Sequence, residues 1–301
     1  MATYNRANFI LESLEAIREQ SFLDWECYII DDGSTDNSAK VIEPILKNDH
    51  RFKYLTRTAN YKKGLPGCRN YGLDIANGEF IVFMDDDDIP HPDLLKFCLQ
   101  ALKEYSVDFC RYERSVFHEK PPKKFNRKLN FEISKLGENL LEDMIIGKTP
   151  FNSCQILWKK ICFKDIRFNE NLMFAEEWEC YTRILLKKAK GVSIKKTLFF
   201  ARKHAHSNTG EFNKGDQIRK NSMIKATKLV LHRLSKHNKI SEELKGFFIR
   251  LGFQLHDYSI IQKTLEETKS SSAQKVKYKL GYFGYPVIKP IFNLKSKFLK
   301  S

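Results

Sequence analysis

The chain has 301 residues, 42% of them hydrophobic and 13% aromatic, with a net charge of +15. That composition supports one substantial buried core, or one core with a smaller appendage, and excludes general disorder. No uncharged apolar stretch reaches the roughly 18 residues a membrane-crossing helix needs, and Met1 to Arg6 carry no apolar run of the signal-peptide kind.

Seven scattered cysteines (Cys27, Cys68, Cys98, Cys110, Cys154, Cys162, Cys180) form no Cys-x-x-Cys pair. An odd number without such spacing reads as reduced, buried thiols of a cytoplasmic protein, not as a disulfide frame or zinc site. The charge is uneven. Asp216 to Ser301 hold 18 Lys and Arg against 6 Asp and Glu, and the seven charged residues after Ser270 are all lysines. Such a tail suits an anionic partner, or is a solvated basic face.

In chain order, Asn8 is placed to cap a helix reaching about Gln20, with Ile10, Leu14 and Ile17 on one face. Cys27 to Ile30 is a short strand ending in the turn Asp31-Asp32-Gly33-Ser34. A second helix follows Thr35, and Pro44 is expected to bend or interrupt it. Phe52 to Thr56 reads as a strand, and Gly67 to Ala76 as a helix stopped by Asn77-Gly78. Phe80 to Met84 is a continuous apolar run, expected to be a strand buried on both faces. It ends in Asp85-Asp86-Asp87-Asp88. Pro92 opens a helix to about Tyr105, and Val107 to Tyr112 is the next strand. Strands alternating with helices predict an α/β fold with a Rossmann-like, mostly parallel sheet.

Lys120 to Asn130, with Pro121-Pro122 and five basic residues, reads as a mobile loop. Gly137 to Ile146 and Glu176 to Lys188 read as helices, and Val192 to Arg202 as extended. From about Phe212 the pattern is helical and basic. Lys279 to Ser301 mixes Tyr282, Phe283, Tyr285, Ile291, Phe292, Leu294, Phe298 and Leu299 with lysines, as an interfacial segment on an anionic membrane leaflet would. A helical appendage packed on the rest of the chain is the alternative.

Two acidic clusters occupy equivalent places. Asp31-Asp32 and Asp85 to Asp88 each follow an apolar strand, and open parallel sheets bind ligands beyond their strands' carboxyl ends. Adjacent aspartates repel one another and resist desolvation, so a cation would balance them. Carboxylate oxygens suit Mg²⁺ or Mn²⁺, commonly shared with substrate phosphates. The plain alternative is a solvated acidic turn. A third acidic pair, Glu176-Glu177, opens a helix. The helix dipole favours acids there, while a general base for a hydroxyl is the functional reading.

Thr3-Tyr4-Asn5-Arg6, Ser21 to Glu26, Ile30 to Asp36, Gly67-Cys68-Arg69-Asn70 before Gly78 to Ile81, and Met84 to Ile89 with Pro92-Asp93 resemble the family 2 inverting glycosyltransferases, from Ala2 to about Ser207. The resemblance implies an A-type glycosyltransferase fold acting on a nucleotide-diphosphate sugar, a UDP-sugar by expectation. It implies a glycan or lipid-linked acceptor, in bacterial surface polysaccharide or lipooligosaccharide synthesis. Thr3, Asn5, Asp31, Asp32 and Arg69 would lie at the nucleotide, with Asp32 the nearer base contact. Asp85 and Asp87 match the Asp-x-Asp metal motif for Mn²⁺ or Mg²⁺. Asp86 and Asp88 would lie at the donor, Asp88 at its sugar. Glu177 would be the catalytic base, with glutamate standing where the family has aspartate. Arg202, His204 and Ser207 fall where the family closes over the diphosphate, or else form an ordinary basic strand end.

The resemblance further implies residues 1–210 as the catalytic domain, with 1–112 the nucleotide half and 113–210 the acceptor half. Residues 211–301 would be a basic helical region, and the enzyme cytoplasmic or peripheral on the inner face of the membrane. One departure stands out. The family's apolar first strand is replaced by Met1-Ala2, which predicts a misassigned or shortened start, or a weakened domain. Two rival classes are a haloacid-dehalogenase-type phosphatase, from Asp85-x-Asp87, and a non-catalytic nucleic-acid or lipid-binding protein, from the basic tail.

Overall fold

Short apolar strands in the first hundred residues do set the frame. In the computed structural model, which describes residues 1–204 and 207–284, the first sheet is β1 (Ala2–Thr3), β2 (Cys27–Asp31) and β3 (Phe52–Thr56). All three run parallel in the order β1-β2-β3, with Ala2 opposite Ile30 and Asp31 opposite Thr56. The first strand is thus two residues long. Helices α1 (Ile10–Arg18) and α2 (Ser38–Asn48) connect these strands, and Ile10, Leu14, Ile17, Ile42 and Ile45 meet Ile29 and Phe52 in one core.

Two local expectations need correction. The residue before α1 is Phe9, and no side chain caps it; the amides of Phe9 and Ile10 donate to the Arg6 carbonyl, so Asn8 is not the cap. Pro44 does not interrupt α2. It lies on the exposed side of the helix, where water can serve the Lys40 carbonyl left without a donor.

Helix α3 (Leu65–Ile75) leads to β4 (Phe80–Val82), then β5 (Ile89–Pro90), α4 (Leu94–Tyr105), β6 (Phe109–Phe117), β7 (Ile133–Lys135), α5 (Leu140–Ile146), β8 (Ile156–Lys159), α6 (Glu176–Leu186) and β9 (Gly191–Arg202). The strands of this half form a second, mixed sheet in the order β4-β8-β6-β9-β5, with β7 also on β9. Only β6 and β9 pair in parallel. The apolar run at Phe80 is therefore an edge strand, antiparallel to β8, and of its three residues Ile81 in the middle is the buried one. Strand alternation predicted parallel order because it cannot see that β8 inserts between β4 and β6. Lys120 to Asn130 is irregular but held: Phe125 packs edge-on against His91 and Phe200, and the Asn126 carbonyl meets His91 Nε2 at 3.1 Å.

Strands β2 and β4, one in each sheet, do not pair with each other. A cavity of about 650 Å³ separates them, lined by Cys27, Tyr28, Ile30, Phe80 to Met84, and Gly72 of α3. The end of α1 is tied across by Gln20, which donates to the His91 carbonyl at 2.7 Å and accepts from the Leu95 amide at 3.1 Å.

The chain divides into two compact units, Met1–Ser222 and Met223–Ser301. After α7 (Asn208–Asn213), helix α8 (Gln217–Lys236) carries the boundary. The second unit continues with α9 (Glu242–Gln254) and α10 (Tyr258–Glu267), started by side-chain caps from Ser241 and Asp257. A further helix covers residues 272–284. Tyr285 and the later aromatics of the basic tail lie outside the described residues.

Two glycines of α3 give opposite expectations. A Cβ at Gly72 would meet only Ile30 Cγ1, at 3.8 Å, whereas one at Gly67 would lie 1.9 Å from the Lys62 carbonyl oxygen. Gly72→Ala is expected to stabilise the protein by about 0.5–1 kcal/mol through helix entropy. Gly67→Ala is expected to cost roughly 2 kcal/mol or more. Urea denaturation of both variants reads the difference; a destabilised Gly72→Ala would show that the cavity wall is not free to accept a methyl group.

Candidate active site

Both acidic clusters stand at the ends of strands, and their surroundings differ. Asp31 is buried and turns back on its own loop, accepting from the amides of Gly33 (3.2 Å) and Ser34 (3.0 Å) and from the Ser34 hydroxyl. Asp32 is buried too. It accepts from Arg57 Nε at 2.5 Å and the Gly64 amide at 2.8 Å, and its own amide donates to the Thr3 carbonyl at 2.9 Å. Asn5 sits in the left-handed region (φ 54°), with Oδ1 accepting from the amides of Thr35 (2.8 Å) and Asp36 (3.3 Å). It thereby joins the loop after β1 to the loop after β2.

The second cluster spans the turn between β4 and β5, and each carboxylate meets a different partner. Asp86 pairs with Arg6 at 3.2 Å. Burial pushes Asp86 up to about 7, against the pull of Arg6 and the Thr3 hydroxyl. Asp87 pairs with His204 Nε2 at 2.7 Å; burial and then Asp85 raise it, and His204 works the other way. Asp88 accepts from the Arg202 amide at 2.7 Å, and burial followed by repulsion from Asp85 and Asp87 lifts it to about 9. Asp85 is the most open, its side chain 41% exposed.

Arg69 of α3 joins this cluster to the third acidic pair. Its guanidinium is buried and reaches Asp85 Oδ1 at 3.3 Å, Glu176 Oε1 at 3.0 Å and the Ser153 hydroxyl at 2.9 Å. Burial opposes the charge of Arg69, but Asp85 and Glu176 outweigh it and raise its affinity for protons. Glu176 is buried at the first turn of α6, and its Oε2 has no protein partner. Burial and then Glu177 push Glu176 up to about 8, partly offset by Arg69. Glu177 is half-buried beside it. The residue before α6, Ala175, adopts φ 61°, a strained conformation for a residue with a Cβ.

The end of β9 closes the other side. Arg202 Nε donates to the Asp87 carbonyl at 3.0 Å and Nη1 to the Glu119 carbonyl at 3.1 Å, while Nη2 pairs with Glu12. Phe9 and Phe117 lie against its guanidinium at 5.1 and 4.6 Å. His204 stacks on Phe9 at 5.6 Å. Ser207 caps α7 by accepting from the Gly210 amide at 3.1 Å. So Arg202 and His204 brace the Asp85 to Asp88 turn, Arg202 from the turn's backbone and His204 from Asp87.

The donor set fits a hard divalent cation. Among the described residues, Asp85, Asp88 and Cys154 each bring one ligand atom within 4.8 Å of the others. The carboxylates are mutually repulsive there, which a cation would relieve. Burial holds the Cys154 thiol well above its usual range, with Asp85 and Asp88 adding to it. A protonated thiol is a poor partner for Mg²⁺ or Mn²⁺, so Cys154 lines the group and the two carboxylates offer the oxygens. Of the motif pair Asp85 and Asp87, the structure aims Asp87 at His204.

Sequence reasoning missed Arg57, Glu12 and Ser153 as parts of this cluster. None carries a local pattern that marks it; each arrives from a distant segment. Arg6 was written in the Thr3 to Arg6 motif, but its pairing with Asp86, eighty residues on, was not.

The model of glycosyl transferase family 2 matches residues 1–161, more than half of the chain, and the chain belongs to that family. The GalNAc(5)-diNAcBac-PP-undecaprenol beta-1,3-glucosyltransferase of Campylobacter jejuni is 33% identical over 175 residues, 56% of this chain and 53% of the relative. The chain thus spans about half the length of that curated relative. Among solved structures, S. aureus TarS 1-349 in complex with UDP-GlcNAc is similar with TM-score 0.60 and 18% identity, covering 95% of this chain and 90% of the other. The mannosyltransferase PcManGT from Pyrobaculum calidifontis, in complex with GDP-Man and Mn²⁺, is similar with TM-score 0.52 and 15% identity, covering 98% and 81%. These two likenesses speak for the fold. Neither rival class finds support among them.

Two outcomes are expected from this geometry. Arg69→Ala leaves two carboxylates beside an empty space and should cost about 3–5 kcal/mol in urea denaturation. Glu176 has its proton affinity raised by folding, so the stability it contributes is full below about pH 4.5 and is lost as pH rises through about 8. Stability of the EDTA-treated protein should therefore fall more steeply from pH 5 to pH 8 than that of Glu176→Gln. Parallel slopes for the two proteins would show that Glu176 is ionised throughout.

Proposed function

We propose that this protein is a metal-assisted inverting glycosyltransferase that moves a sugar from a nucleotide diphosphate, a UDP-sugar, to a hydroxyl of a lipid-linked glycan. The observation that carries this reading is the buried Arg69 guanidinium, which holds an acidic cluster fit for a cation-bridged diphosphate beside a glutamate pair fit to take a proton. The undecaprenol-linked acceptor in the Campylobacter relative's name and the UDP-sugar bound to TarS support the choice of acceptor and donor. On this reading the reaction belongs to bacterial surface polysaccharide or lipooligosaccharide synthesis, at the inner face of the cytoplasmic membrane.

Residues 1–112 take the nucleotide, through Thr3, Asn5, Asp31, Asp32 and Arg69, and residues 113–210 shape the acceptor side. Asp85 and Asp88 hold the cation, with the motif residue Asp87 adjoining; Asp86 and Asp88 face the donor. A bound Mg²⁺ or Mn²⁺ would neutralise charge on the diphosphate. Glu177 accepts the proton of the acceptor hydroxyl as its oxygen attacks the anomeric carbon, and configuration inverts in one displacement. Arg69 keeps Glu176 anchored, so Glu177 starts from a fixed helix end. Arg202 and His204 hold the acidic turn in place and adjoin the diphosphate. The basic region 211–301 follows the catalytic part.

The test is donor hydrolysis with UDP- and GDP-sugars in Mg²⁺, Mn²⁺ or EDTA. Nucleotide release is expected with metal and not with EDTA, and is expected to be abolished in Asp88→Ala. Asp87→Ala reads the competing ligand choice: a loss as deep as that of Asp88→Ala would put Asp87 in the metal set. Glu177→Gln should lower kcat for transfer by about 10²–10⁴ while donor affinity holds. A Glu177→Gln enzyme transferring at the native rate would remove Glu177 as base.

A further inference from the structure

The helix over residues 272–284 carries two unlike faces. Its start is a reciprocal cap: the Ser271 hydroxyl accepts from the Gln274 amide, and Gln274 Oε1 accepts from the Ser271 amide, each at 3.3 Å. One face, Tyr278 and Tyr282, packs on Ile249, Ile261 and Leu265 with Phe253 and Tyr258. Val276 and Leu280 stand on the opposite side and Phe283 beside them, its ring centroid 5.4 Å from that of Tyr258; spaced i, i+4 and i+7, the three are 55%, 69% and 61% exposed. Burial of the tyrosine face explains why the helix docks. It does not explain three large apolar side chains in a row toward solvent.

Charge identifies the partner. Lys275, Lys277 and Lys279 flank the apolar row, and no acidic residue occurs between Glu267 and Gly284. A second copy of this face would bring like charges together around the contact. An anionic lipid surface instead takes the apolar row below its headgroups and the lysines at headgroup level.

We propose that Val276, Leu280 and Phe283, flanked by Lys275, Lys277 and Lys279, form a docking surface for an anionic lipid bilayer. The proposal rests on the lipid-linked-acceptor reading only for its biological setting. The helix itself supplies the geometry.

The experiment is co-sedimentation of the full chain with vesicles of phosphatidylcholine alone or with about one third phosphatidylglycerol. Strong pelleting is expected only with the anionic vesicles, weakened by added salt. Leu280→Ser with Phe283→Ser should reduce the partition coefficient by about tenfold or more. Lys275→Gln, Lys277→Gln and Lys279→Gln together should abolish the preference for anionic lipid. All these positions are exposed, and donor hydrolysis in the absence of vesicles should match the unsubstituted protein. Equal pelleting of the serine variant, or equal pelleting on neutral vesicles, would overturn the proposal. So would concentration-dependent dimerisation that the serine variant loses without any vesicle binding. Vesicle binding without donor hydrolysis would refute the transferase reading and leave this one standing; hydrolysis without vesicle binding would do the reverse.

Discussion

The buried guanidinium of Arg69 organises the candidate site. Arg69 is buried, so its charge is tolerable only because Asp85, Glu176 and Ser153 all meet it. Buried ion pairs rarely add net stability, but removing one member leaves an uncompensated charge. That asymmetry makes Arg69 a fixed point between the turn after β4 and the start of α6. Its backbone is fixed as well, since α3 begins after Gly64 at φ 123° and passes so close to Lys62 that position 67 admits only glycine.

Around that point the protein accumulates more negative charge than it neutralises. Asp86, Asp87, Asp88 and Glu176 are all pushed toward their protonated forms, burial being the first cause in each case. Arg6, His204 and the Arg202 amide answer part of that charge, one partner to each aspartate. A cation and a diphosphate together would complete the balance, because each alone would be poorly matched to the remaining surface. The same crowding that weakens the ligand-free fold prepares the site for its substrate.

The second unit follows a different logic. Helices α9 and α10 begin at side-chain caps and each buries an apolar face. Among the described residues of this unit, it is the helix over 272–284 whose outer face breaks the usual rule of polar side out.

The sequence by itself determined the α/β class, the family, and the three acidic groups, because each depends on local order: an apolar run, a turn and a short motif. It determined α1, β2, β3 and α4 to within a few residues, because period and breakers act over one or two turns. Tertiary structure decided what those groups touch. The apolar run Phe80 to Met84 looks the same whether its neighbour is parallel or antiparallel, and the insertion of β8 made that neighbour antiparallel. The motif Asp85-x-Asp87 shows two acids; only the return of β9 shows that Asp87 meets His204 and that Asp88 stands with Asp85. Pro44 predicted a broken helix, yet its exposure made the missing hydrogen bond cheap. Local chemistry is written in neighbouring letters, while the pairing of charges is set by segments that meet only when the chain closes.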